Sequence, residues 1–160
     1  MKDRSDFSIV SAVLLFATLA LPGGNAVAVD EKSVAGTYSI VSVAAFGDNP
    51  RGLMNLGRDG RYFIMLARQT LPKVAAGARG KGTLEENKEI VDGSIAHFGK
   101  YTVNSKDKTI TFNVETSTFP NWDGAAFKRP FKVSGNQLTY TNVAPSGGGG
   151  AAEVVWKRVR

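Results

Sequence analysis

Apolar and polar residues alternate along most of this chain. Between Thr37 and Phe46 the set Tyr38, Ile40, Ser42, Ala44 and Phe46 falls on one side, which is the period of a half-buried strand. Leu53 to Leu56 and Tyr62 to Arg68 follow, separated by Gly57-Arg58-Asp59-Gly60, whose Asp-Gly pair favours a tight hairpin. The alternation returns at Tyr101 to Val103, Thr109 to Ser117, Ala125 to Val133, Gln137 to Val143 and Ala151 to Val159. Short turn-forming links such as Asn104-Ser105-Lys106-Asp107 and Ser134-Gly135-Asn136 join these segments. The stretch Leu71 to Gly82 is rich in Ala and Gly, has no period, and reads as a loop. Thr83-Leu84-Glu85-Glu86 then fits a capping box, in which the Thr83 hydroxyl and the Glu86 carboxylate each accept from the other's backbone. A helix from Leu84 to His97 places Leu84, Lys88, Val91, Ile95 and Phe98 near one stripe, although Gly93 weakens it by about 1 kcal/mol. These elements predict an all-β fold, an up-and-down antiparallel barrel of about eight strands with one helix inserted after the third. A barrel of that size is filled by its own side chains or holds one small ligand.

The N-terminus reads differently. Lys2 and Arg4 precede an apolar run from Phe7 to Leu21, and Ala26-Val27-Ala28 supplies small residues for cleavage. That is the layout of a signal peptide over residues 1–28, with a mature domain over 29–160 that is exported to a periplasm or secreted. The run is about 15 residues, shorter than the roughly 20 a bilayer span requires, so no stable membrane anchor is expected after cleavage. With no cysteine in the chain, neither a disulfide nor a lipid-modified cysteine is available. The remaining 132 residues (160 minus 28) suffice for one domain with an ordinary core. The net charge of +6 is spread singly among acids, without the basic stripe that nucleic acid binding requires.

The more apolar strand faces collect Tyr38, Ile40, Met54, Leu56, Tyr62, Ile64, Leu66, Tyr101, Val103, Ile110, Phe112, Val114, Phe127, Phe131, Leu138 and Tyr140. All four tyrosines are among them, and two arginines, Arg68 and Arg129, share those faces. A buried guanidinium costs several kcal/mol unless it is paired, and no inward carboxylate stands out in these strands. Two readings follow. Arg129, with Arg68 and the tyrosine hydroxyls, meets the acidic or oxygen-rich end of an otherwise apolar ligand. Alternatively it is a structural arginine stacked on a ring or bonded to carbonyls at a barrel end. The expected ligand-binding set is Arg129, Arg68, Tyr62, Tyr101, Tyr140, Phe127 and Trp122. Phe119 and Trp122 sit in a turn-forming segment, Phe119-Pro120-Asn121-Trp122-Asp123-Gly124, that is too apolar for a fully wet loop, so they are expected to cover one barrel end as a lid or a plug.

Several motifs together resemble the bacterial and fungal lipocalin-like domain family of the calycin group. They are Val34-Ala35-Gly36-Thr37-Tyr38, where the family usually shows Gly-Thr-Trp; the Arg51-Gly52-Leu53 and Arg58-Asp59-Gly60 hairpin; His97-Phe98-Gly99-Lys100-Tyr101; Ser117-Thr118-Phe119-Pro120-Asn121-Trp122 with Arg129-Pro130-Phe131; and Trp156-Lys157-Arg158. The resemblance implies a barrel from Val34 onward, closed at its base by Tyr38 stacked against Arg158. Relatives often carry histidine in the strand before the Phe-Pro-Asn-Trp loop; this chain has Thr111, Phe112 and Asn113 there.

Catalytic and metal chemistry find little support. His97 is the only histidine, its place at a predicted helix end suggests a capping role, and no serine lies in a nucleophile elbow. One histidine without cysteine lacks the usual zinc ligands. Glu85, Glu86, Glu89 and Asp92 form an acidic helix face without calcium-loop spacing. Residues 75–83 imitate a phosphate loop but carry Ala75 where its first glycine belongs. No cofactor, metal or catalytic set is therefore read. The sequence favours an exported barrel binding a small, largely apolar or amphipathic molecule with an acidic or hydroxylated end, because no base is recognisable in the cavity. The alternatives are an isomerase or cyclase using the same cavity, and a filled-barrel structural or interaction protein.

Overall fold

A computed structural model describes residues 30–159 of the protein. The expected signal peptide lies outside the described residues. A short helix, α1 (Glu31–Val34), precedes eight strands: β1 (Gly36–Val43), β2 (Arg51–Leu56), β3 (Arg61–Ala67), β4 (Ser94–Asn104), β5 (Thr109–Ser117), β6 (Ala126–Ser134), β7 (Gln137–Asn142) and β8 (Ala152–Arg158). Each pairs antiparallel with the next, and β8 pairs with β1, so the sheet closes into an up-and-down barrel. One longer helix, α2 (Leu84–Asp92), follows β3 as expected, and Thr83 and Glu86 form both bonds of the capping box.

Antiparallel alternation gives the barrel two unlike ends. At the base, tight turns link β2 to β3, β4 to β5 and β6 to β7, and α1 packs beneath β1. In the first turn, the Gly60 N–H bonds the Gly57 carbonyl at 3.1 Å, with Gly60 at φ 76, a conformation that glycine adopts without strain. At the mouth lie the longer connections, residues 44–50, 68–93, 118–125 and 143–151. The lower half of the barrel is filled: Tyr38, Met54, Leu56, Tyr101, Ile110, Leu138 and Trp156 are all buried there. Arg158 latches this base. Its guanidinium donates to the carbonyls of Ala35 and Ser33 and to the Tyr38 hydroxyl, and lies 4.8 Å from the Tyr38 ring centroid. A Cβ on Gly36 would come within 2.2 Å of Arg158 Nη1, so the glycine makes room for the latch.

Three elements depart from the sequence reading. The helix expected to reach His97 stops at Asp92, where Gly93 caps it by donating to the Glu89 carbonyl. Residues 94–97 instead begin β4, whose ladder to β3 pairs Ser94 with Ala67, Ile95 with Leu66 and His97 with Ile64. The ladder satisfies backbone groups and buries Ile95 and His97, which a lone helical turn past a glycine cannot do. In β1 the pairing with β8 slips between Ile40 and Ser42, so inward parity passes to Val43, and residues 44–46 form a 3₁₀ turn rather than strand. A second slip, between Phe98 and Gly99, depends on Gly99: a Cβ there would meet the Asn113 carbonyl oxygen at 2.0 Å.

Candidate functional site

Above the filled base, the mouth half of the barrel holds a cavity of about 680 Å³. Its walls include Leu66, Ile95 and Val154 from the strands, Phe46 and Phe119 from the loops, and the end of α2 at Ile90 to Asp92. Its polar and aromatic surface includes Arg129, His97, Tyr140 and Trp122, with Arg68, Asp92, Asn142 and Ser146 also in the lining.

Arg129 is on β6, between outward Lys128 and Pro130, and is only 3% exposed. Its guanidinium carbon lies 4.9 Å from the Tyr140 ring centroid and 5.4 Å from those of Phe112 and Phe127. Among the described residues no carboxylate, carbonyl or hydroxyl bonds it. Ring faces offset part of the cost of burying a cation, by about 2 kcal/mol each when desolvated, but they do not bond its N–H donors.

Beside it stands a histidine in a role that the sequence did not reveal. His97 is on the inner face of β4, 5% exposed, and its Nδ1 lies 2.9 Å from the Tyr62 hydroxyl on β3. It therefore caps no helix, and an imidazole does line the cavity. Burial, reinforced by the nearby Arg129 charge, pushes its pKa down to about 4, so the ring is neutral near pH 7. Burial also raises the Tyr62 hydroxyl well above the ordinary tyrosine range, outweighing the opposite pull of Arg129. The period-two set Ile95, His97, Gly99, Tyr101 was the available signal; the competing helical stripe concealed it.

Trp122 closes this wall from the 3₁₀ turn Pro120–Trp122. It is half-buried, with its ring 4.9 Å from Phe127, 5.5 Å from His97 and 6.0 Å from Phe119. The turn is anchored where Asp123 Oδ1 accepts from the Ser117 N–H at 2.7 Å and Ser117 Oγ accepts from the Phe119 N–H at 3.0 Å.

The structure brings Arg129, Tyr140, Trp122 and Arg68 to the cavity wall, with Phe127 against Arg129 and Trp122. Tyr62 stands behind His97. Arg68 is at the rim and is paired with Glu89 of α2 at 3.3 Å, so the carboxylate missing from the strands comes from the helix. Tyr101 points to the base, where its hydroxyl donates to the Gly57 carbonyl at 2.8 Å, away from the cavity.

Compared with protein families, the chain matches the lipocalin-like domain over residues 32–159. A comparison with curated proteins gives no match.

Proposed function

Since the chain belongs to the lipocalin-like domain family, a fold that suggests small-molecule binding, we propose that it carries a small, largely apolar molecule in the mouth of its barrel, with an acidic or hydroxylated end against Arg129. One observation carries this reading. A guanidinium that is almost fully buried beside a cavity of about 680 Å³ has no polar partner among the described residues. A buried charge of that kind is stabilised when a bound group supplies the missing acceptors. Apolar rings around it and aliphatic walls above it suit the rest of such a molecule.

Exchange of Arg129 for methionine tests the reading, with a conjugated polyenoic fatty acid as fluorescent probe. An unpaired buried ion replaced by an apolar chain of similar length leaves the fold intact, with stability within about 1 kcal/mol of the parent or higher. Affinity for the acid falls by about 2 kcal/mol, roughly thirtyfold. Unchanged affinity in the folded variant removes Arg129 from the site.

Export is part of the same proposal. Its support is the basic start, apolar run and Ala26-Val27-Ala28 of the sequence. N-terminal mass analysis of exported protein should begin at Val29, and exported protein retaining Met1 contradicts it.

A further inference from the structure

Tyr62 and His97 leave one feature of the cavity to be interpreted: which ring nitrogen of His97 carries the proton. The Tyr62 residue is 3% exposed, and burial keeps its hydroxyl protonated. Among the described residues, the one group placed to receive that hydrogen is His97 Nδ1, at 2.9 Å. A buried O–H left without an acceptor is costly, so Nδ1 accepts, and the proton of the neutral imidazole sits on Nε2. The reverse tautomer orphans the phenolic hydrogen and leaves the Nε2 lone pair without a donor. His97 is thereby a donor to the cavity rather than a base.

Of the polar side chains lining the cavity that have no partner among the described residues, Arg129, the His97 Nε2–H and the Trp122 indole N–H can only donate, whereas the Tyr140 and Ser146 hydroxyls and the Asn142 amide can also accept. The acidic groups around the site are engaged elsewhere: Asp92 at the rim pairs with Lys88, Glu89 with Arg68, and Glu115, whose charge is felt at Tyr62, with Arg61. We propose that Arg129 and His97 together receive a two-oxygen anionic head, a carboxylate, in preference to a hydroxyl, and that Tyr62 is the positioning residue that sets His97 as the second donor. This inference rests on the reading that Arg129 faces the ligand, and it narrows that ligand to one head-group class. A hydroxyl offers a single oxygen and no charge to offset the guanidinium, whereas a carboxylate accepts from both residues at once.

The experiment begins on unliganded, untagged protein, where His97 is the only histidine and gives a single imidazole signal in ¹⁵N NMR. At pH 7 the expected form is protonated at Nε2 and bare at Nδ1, and Tyr62→Phe converts it to a mixture of tautomers. Binding of a conjugated polyenoic fatty acid is then compared with that of the corresponding alcohol. The parent is expected to prefer the acid at least tenfold, and the preference to shrink several-fold in Tyr62→Phe and in the Tyr62→Phe/His97→Phe pair, which leaves no orphaned hydroxyl behind. A parent ring protonated at Nδ1 overturns the inference without any variant. Acid binding that falls with Arg129→Met yet keeps its full preference in the Tyr62/His97 variants overturns it and leaves the carrier reading standing. A parent that binds neither probe overturns both.

Discussion

The Tyr62 hydroxyl and His97 Nδ1 lie 2.9 Å apart on adjacent strands, β3 and β4, at the floor of the barrel cavity. That contact places the one imidazole of the chain in a buried setting, beside the Arg129 charge, and makes its titration a property of the fold.

The first prediction concerns pH. His97 has its pKa pushed down to about 4 in the folded protein, against about 6.5 in an unfolded chain. Between these values the unfolded chain binds a proton that the folded one does not, so stability is complete above about pH 6.5 and falls as pH drops toward 4. The full span corresponds to about 3 kcal/mol, of which about 1.5 kcal/mol is lost between pH 6.5 and 5. Urea unfolding of the parent should show that slope, and the Tyr62→Phe/His97→Phe pair should flatten it. Equal slopes in the two proteins contradict the assignment.

A second prediction addresses the base. Arg158→Met removes the bonds to Ala35, Ser33 and Tyr38 together with the stacking on the Tyr38 ring, and should cost about 2 kcal/mol or more. Gly36→Ala drives a methyl against the same guanidinium, which is pinned by those bonds and cannot swing aside freely. Alanine at Gly36 also carries a backbone cost at φ 153 that persists without Arg158, so the shared contact should make the two changes less than additive in a double-mutant cycle rather than fully redundant. Additive costs would show that Gly36 serves something other than the latch.

Third, Trp122 should report on the cavity. Trp156→Phe leaves Trp122 as the single tryptophan and removes a buried indole N–H that has no partner among the described residues. Trp122 is half-buried on the cavity wall, so its emission should shift or quench when a saturated fatty acid is added. Emission that is already fully buried and unchanged by the fatty acid identifies a fixed plug, and fully water-exposed emission in both conditions denies it either role.

Local chemistry alone specified much of the framework. Asp59-Gly60 marked a hairpin, Thr83 and Glu86 marked a helix start, and strict alternation put all four tyrosines and Arg129 on inner faces. Each of these signals is complete within a few residues, so no distant partner is needed to read it. The latch between Tyr38 and Arg158 came instead from likeness to a family, since residues 120 positions apart carry no mutual local signal.

Tertiary structure decided the rest. Residues 94–98 fit a helical stripe and a strand equally well, and the open edge of β3, absent from any local window, settled them as β4 and turned His97 inward. The two inward-reading arginines diverged for a similar reason: docking of α2 brings Glu89 to Arg68, whereas nothing polar reaches Arg129 among the described residues. Closure of the barrel sorted the tyrosines by depth, sending Tyr38 and Tyr101 to the base, Tyr140 to the cavity wall and Tyr62 behind His97. A period of two tells which face a side chain takes; how high it stands along the barrel depends on strand direction and register, which exist only once the strands have paired.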